Sequence, residues 1–210
     1  QSKSIHKIKV TPILVETSTL PLKDKLEARD RLLKSGIHMV DAPLSGTGAQ
    51  AKTRDLSIYA SGDSKDVRAF TSIFDGFSRT HYNVGEFGNG MKMKLVANLL
   101  VAIHNVSTAE AILFGKKLGL NTKNLVSLIG DGAGSSRMFQ VRGPMMVAKT
   151  WNQATMKNEV WQKDMSIIYH ALDELNVPAP LFTACIPIYK AAMSQGHALN
   201  DTAAVSYTHL

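Results

Sequence analysis

The chain has 210 residues, 44% hydrophobic and 20% charged, with one cysteine and a formal net charge of +7 at pH 7. That balance excludes a disordered or fibrous chain and allows one large or two small domains. No apolar run reads as long enough to cross a bilayer, Cys185 has no intrachain partner, and the scattered Lys and Arg residues lack the basic runs of a nucleic-acid surface.

Residues 13–16 form a short apolar run that ends in Thr17-Ser18-Thr19, which reads as a buried strand entering a polar loop. Residues 23–35 place Leu26, Leu32 and Leu33 among charges, the pattern of a surface helix closed by Gly36. A second strand over 37–40 leads to Asp41-Ala42-Pro43, and 44–52 reads as a loop of small residues. A third strand is expected over 56–60. Asp63 then caps a helix reaching about Phe74, and a fourth strand covers 81–84. Strands alternating with helices predict a mostly parallel sheet.

From Asn89 onward the pattern is helical. One long helix is predicted over 91–117, with others over 122–129, 135–139, 158–175 and 181–195. The expected division is a first domain over 1–86 and a helical domain over 87–210. The opening Gln1 and the lack of a targeting signal lead us to expect a front-truncated chain, cytoplasmic or mitochondrial, with any targeting segment on the lost part. Residues 206–210 read as a non-native tail.

Several constellations have chemical potential. Asn89, between Gly88 and Gly90, is placed to cap the long helix. Lys94 stands a turn inside it, and Asn98 shares its face four residues on. The partial positive charge of a helix start, with Lys92 nearby, disfavours an ammonium at Lys94 and suits it to proton transfer. On spacing alone, solvated helix charges are the better reading of Lys92 and Lys94. Ser45-Gly46-Thr47-Gly48 offers backbone N–H groups and hydroxyls to a carboxylate. Thr17-Ser18-Thr19 stands at the carboxyl end of a strand, where open α/β sheets collect ligands. Lys163-Asp164 reads as a surface pair. Arg142 reads as an anion contact or as a solvated residue beside a turn at Gly143-Pro144. Cys185 reads as a small core residue, and His104 has no partner at metal-ligand spacing.

Taken in order, these segments resemble the β-hydroxyacid dehydrogenase family, within the 6-phosphogluconate dehydrogenase superfamily. Asp41-Ala42-Pro43-Leu44-Ser45-Gly46 is similar to its substrate-binding motif, and Gly88-Asn89-Gly90 through Lys94 to Asn98 to its catalytic motif. Thr108-Ala109-Glu110-Ala111, Gly119-Leu120 and Lys163-Asp164 continue the match. The resemblance implies part of a Rossmann-type sheet binding NAD or NADP, followed by a helical domain that dimerises. It implies that Lys94 is the general acid/base, with Asn98, Ser45, Gly46 and Thr47 contacting a small hydroxy-acid substrate such as 3-hydroxyisobutyrate. It places Ser18, Thr19 and Lys163 on the cofactor, with no metal, no nucleic acid, no membrane and a homodimer or homotetramer as the assembly.

Two departures stand out. No G-x-G-x-x-G follows an early strand, so the turn that seats the pyrophosphate is missing. Thr47 stands where many relatives carry glycine. Ala97 precedes Asn98 where the decarboxylating 6-phosphogluconate dehydrogenases carry His, which favours the non-decarboxylating branch. The competing expectation is a non-catalytic, dehydrogenase-like oligomerisation module.

Overall fold

The computed structural model describes residues 12–209. Its first elements are β1 (Ile13–Glu16), α1 (Leu22–Leu33), β2 (His38–Asp41), β3 (Leu44–Ser45), α2 (Gly48–Lys52), β4 (Ser57–Ala60), α3 (Ser64–Ala69), α4 (Thr71–Phe77) and β5 (Thr80–Asn83). Helices α5 (Asn89–Lys117), α6 (Thr122–Gly130), α7 (Arg137–Ala148), α8 (Asn158–Glu174) and α9 (Pro180–Ser194) follow, then a 3₁₀ segment over Thr202–His209. The chain divides into two compact units, the first ending at Ala97 and the second starting at Asn98. The division thus falls inside α5, later than the 86/87 position at which strand patterning ends.

In the first unit β1 pairs in parallel with β2, from Ile13 opposite His38 to Glu16 opposite Asp41. Strands β4 and β5 are also parallel, whereas β3 lies antiparallel to β4. A bridge between Asp41 and Ser61 stitches the two ladders together, with N–H···O distances of 3.0 and 2.7 Å. The one antiparallel strand follows Pro43, which has no N–H with which to extend β2; its carbonyl accepts from the Tyr59 amide at 3.3 Å. Where a plain loop was expected over 44–52, the chain therefore forms β3 and the short α2. The helix expected to run from Asp63 to Phe74 breaks at Phe70 into α3 and α4. Asp63 caps α3 as its sequence position predicts, accepting from the Lys65 amide at 2.8 Å. Val40, Ala42, Ile58, Ala60, Val67 and Phe74 form the core beneath the sheet.

Helix α1 half-buries Leu26 and Leu32 as its pattern predicts but departs from it at two positions. Leu33 is 55% exposed and Lys25 only 1%. An ammonium is buried only when paired, and Lys25 is paired with Glu16 and Asp41.

The second unit is organised around two buried polar groups. The Asn105 amide donates to the Tyr189 hydroxyl at 3.1 Å and to the Thr202 carbonyl at 2.8 Å. Asp201, fully buried, accepts from Arg142 Nε at 3.0 Å, the Thr155 amide at 2.8 Å, the Met156 amide at 3.1 Å and the Ala203 amide at 3.0 Å. Burial alone would raise its pKa, but the Arg142 charge and these donors together hold it below the usual carboxylate value. The solvated reading of Arg142 fails, and the anion it meets is a carboxylate of the chain itself. α7 runs through Gly143-Pro144 without a turn, and the guanidinium is enclosed as the partner of Asp201. In the segment read as a foreign tail, Ser206 is buried and its hydroxyl donates to the Ala203 carbonyl at 3.0 Å.

Contrary to the expectation from the sequence, one helix among the described residues, α5, is by length and composition long and apolar enough to cross a bilayer. Its interior holds buried Lys94, Asn98, Asn105 and Thr108, the mark of a core helix. Gly115 sits within it because a Cβ there would lie 2.0 Å from Leu125 Cδ1 on α6. Cys185 is buried and free, its thiol pushed up to about 11 by burial first and by the Glu110 charge second.

Candidate active site

The start of α5 sets the site in the first unit. Asn89 does not cap it; as the first helical residue it turns its Nδ2 back to the Val84 carbonyl at 3.1 Å and accepts from Lys92 Nζ at 3.1 Å. The cap comes from the sheet. Ser61 Oγ accepts from the Gly88 and Gly90 amides at 3.2 and 2.9 Å, and Asp41 Oδ2 accepts from the Met91 amide at 2.8 Å. A carboxylate on those N–H groups offsets the partial positive charge that a bare helix start would project. Gly90 permits this approach, since a Cβ there would lie 2.2 Å from the Tyr59 carbonyl oxygen.

Asp41 is itself held by charge. Its Oδ1 lies 2.6 Å from Lys25 Nζ, and the same ammonium lies 2.6 Å from Glu16 Oε2. Glu16 Oε1 accepts from the Ser18 amide at 2.8 Å. Burial would raise the Glu16 pKa, but its bonds to Lys25 and Ser18 hold it below the ordinary value. The 17–19 turn, the β2 end that continues into Ser45 and the first turn of α5 are therefore anchored to one buried ionic cluster.

The expected residues distribute as follows. Lys94 is 8% exposed whereas Lys92 is open to solvent, so the solvated-charge reading fits the second and fails for the first. Ser45 is half-buried in β3. Gly46 has φ +129°, and a Cβ there would press to 2.6 Å from Leu56 Cδ2, so the loop requires glycine at that point. Thr47 is a different matter. Its amide and hydroxyl both donate to Gln50 Oε1, at 2.7 and 2.6 Å, as part of the capping of α2. These two bonds hold the Thr47 backbone and side chain in the 45–48 loop. Ser18 is exposed and Thr19 half-buried beyond β1.

In the second unit Asn98, 4% exposed, donates its Nδ2 to Asp164 Oδ2 at 2.9 Å. The exposed Lys163 lies 3.3 Å from Asp164 Oδ1. Asp164 is buried, so the pair is not the surface pair that spacing implies. Sequence reasoning missed Glu16, Lys25 and Ser61 because each looks ordinary in its own element. The only hint was a lysine on α1 at the position packed against the sheet. Among the described residues no group of three His, Cys, Asp or Glu side chains is placed to hold a metal.

Parallel strands with a polar turn at the carboxyl end of β1, a buried lysine on the helix that leaves this unit, and a second unit of helices define part of a Rossmann-type architecture with a helical partner unit. Residues 88–208 match the family model described as NAD-binding of NADP-dependent 3-hydroxyisobutyrate dehydrogenase, and residues 2–86 match the NAD-binding domain of 6-phosphogluconate dehydrogenase. The chain belongs to the 3-hydroxyisobutyrate dehydrogenase-like family of the 6-phosphogluconate dehydrogenase superfamily, whose cofactor is NAD or NADP.

The chain is 29% identical over 192 residues to a chloroplastic glyoxylate/succinic semialdehyde reductase 2 of Arabidopsis thaliana, covering 91% of this chain and 53% of that protein. An L-threonate dehydrogenase of Haemophilus influenzae is 26% identical over 200 residues, covering 95% and 66%. The chain therefore spans between half and two thirds of these relatives. A 3-hydroxyisobutyrate dehydrogenase structure from Salmonella typhimurium superposes with a TM-score of 0.88 at 23% identity, covering 97% of this chain and 72% of that one. That likeness establishes the fold.

In the first unit the turn after β1 exposes Thr17 and Ser18 at the carboxyl end of a parallel strand, where a dinucleotide would be held. The glycine-rich turn for the pyrophosphate is absent from the sequence.

Proposed function

We propose that the protein acts as an NAD(P)-dependent dehydrogenase of a small β-hydroxy acid such as 3-hydroxyisobutyrate, with Lys94 transferring the proton. The observation that carries this reading is the burial of Lys94 on α5 beside an exposed Lys92, with Asn98 one helical turn further on. Burial disfavours an ammonium, and that is the property a proton acceptor needs near neutral pH.

In oxidation Lys94 Nζ takes the substrate hydroxyl proton as the carbinol carbon gives up its hydride; in reduction Lys94 returns that proton to the forming alkoxide. The bound nicotinamide supplies the hydride acceptor or donor. Ser18, Thr19 and Lys163 would hold the cofactor, and Asn98 would meet the substrate hydroxyl. Ser45, Gly46 and Thr47 would receive the substrate, its carboxylate meeting their hydroxyls and backbone N–H groups. We place the domain boundary at 86/87, where the two family matches meet, and assign a homodimer or homotetramer. Phe114, Leu118, Leu120 and Leu128, all more than half exposed on the second unit, supply apolar surface for that assembly.

Lys94→Ala tests the assignment. Loss of a positioned acid/base is expected to lower kcat by about 10²–10⁴-fold with an unchanged melting temperature, and normal turnover would overturn it. A non-catalytic oligomerisation module predicts a stable dimer without nucleotide affinity, which a mass measurement and a cofactor titration read out directly.

A further inference from the structure

We propose that Lys25 is a positioning residue for Lys94: with Glu16 and Asp41 it forms a buried brace that holds the first turn of α5 and the 17–19 turn in register on the sheet. This rests on the reading of Lys94 as the proton-transfer residue.

The brace has two arms joined at one nitrogen. Lys25 Nζ, on a side chain with no exposed surface, lies 2.6 Å from both Glu16 Oε2 and Asp41 Oδ1. The Asp41 arm continues to the Met91 amide at 2.8 Å and the Ser61 hydroxyl at 3.1 Å, and Ser61 accepts from Gly88 and Gly90. The Glu16 arm continues to the Ser18 amide at 2.8 Å. One cation faces two carboxylates, so the excess negative charge is spread onto N–H and O–H donors belonging to the two segments that need positioning.

A buried ionic group is a poor source of stability, because desolvation consumes much of the Coulomb gain. What it contributes is directionality. An apolar residue at 25 would fill the space but would leave Asp41 without a reason to face Met91. Lys94 is one helical turn beyond Met91, so a shift of the helix start moves its amine with it. A displacement of about 1 Å at a reacting centre costs on the order of 10²-fold in rate.

The test uses Lys25→Met and Lys25→Arg in the intact protein, with two readouts. Amide hydrogen exchange at 17–19 and 90–94 requires no turnover. Steady-state kinetics separates kcat from the cofactor KM. For Lys25→Met we expect exchange at both segments to accelerate at least about tenfold relative to the second unit, with kcat down about tenfold or more and the cofactor KM raised. Lys25→Arg is expected to recover much of both. Unchanged exchange at 90–94 together with unchanged kcat would overturn the brace. If Lys25→Met does not fold, Glu16→Gln decides, because Lys25 keeps Asp41 in that variant. Faster exchange confined to 17–19 supports the two-arm arrangement, and a uniform change or none refutes it. If the wild type turns over no β-hydroxy acid, the proposed function falls, and the exchange data alone judge the brace.

Discussion

The Arg142–Asp201 pair permits a worked prediction. Asp201→Ala removes the counter-charge of a guanidinium whose side chain is 5% exposed, and strips the Thr155, Met156 and Ala203 amides of their acceptor. Breaking a buried pair by deleting one partner costs about 3–5 kcal/mol. The second unit has about 110 residues, and at about 2.1 cal/mol/K of unfolding entropy per residue, each kcal/mol moves its melting temperature by about 4 °C. The expected loss is therefore roughly 13–22 °C, measured by thermal unfolding followed by circular dichroism. Adding Arg142→Met to Asp201→Ala removes the orphaned charge and should restore part of the loss. A single-mutant shift under about 3 °C, or a double mutant less stable than Asp201→Ala, would show that the pair is not the organiser described.

Acid should weaken the fold in a predictable direction. Glu16 and Asp201 both have folded pKa values below their ordinary ones, so their stabilisation is complete above the unfolded carboxylate pKa of about 4. It is lost as pH falls through the folded values. Urea midpoints between about pH 7 and pH 3 should fall on acidification, and a rise would contradict both assignments. Gly90→Ala should destabilise by about 1–3 kcal/mol, since its Cβ meets the Tyr59 carbonyl at 2.2 Å, whereas Gly76→Ala, with nothing within 4 Å, should be neutral or mildly stabilising. Equal effects of the two alanines in chemical denaturation would count against the close approach of α5 to β4.

The architecture was readable because its signals are local. Apolar runs between turn residues located β1, β2, β4 and β5, and Gly-Asn-Gly followed by an uninterrupted helical pattern located α5. Asp63 announced its cap from position alone. The misses share a cause: each depended on a partner distant in sequence. Lys25 looks like one charge among many on α1, and only the arrival of Asp41, sixteen residues later, explains its burial. Arg142 beside Gly143-Pro144 suggests a turn, yet Asp201, 59 residues on, draws it inward and α7 continues. Lys94 was identifiable as a candidate, but its distinction from Lys92 is a matter of burial, which spacing does not encode.

The hydrogen bond from Asn98 to Asp164 fixes an orientation. A carboxylate can only accept, so it selects the nitrogen end of the amide: one N–H is committed to Asp164, while the second N–H and the oxygen keep their capacity to bond. The buried amide is thereby held one way round, and an asparagine at 164, able to donate as well as accept, would remove that preference.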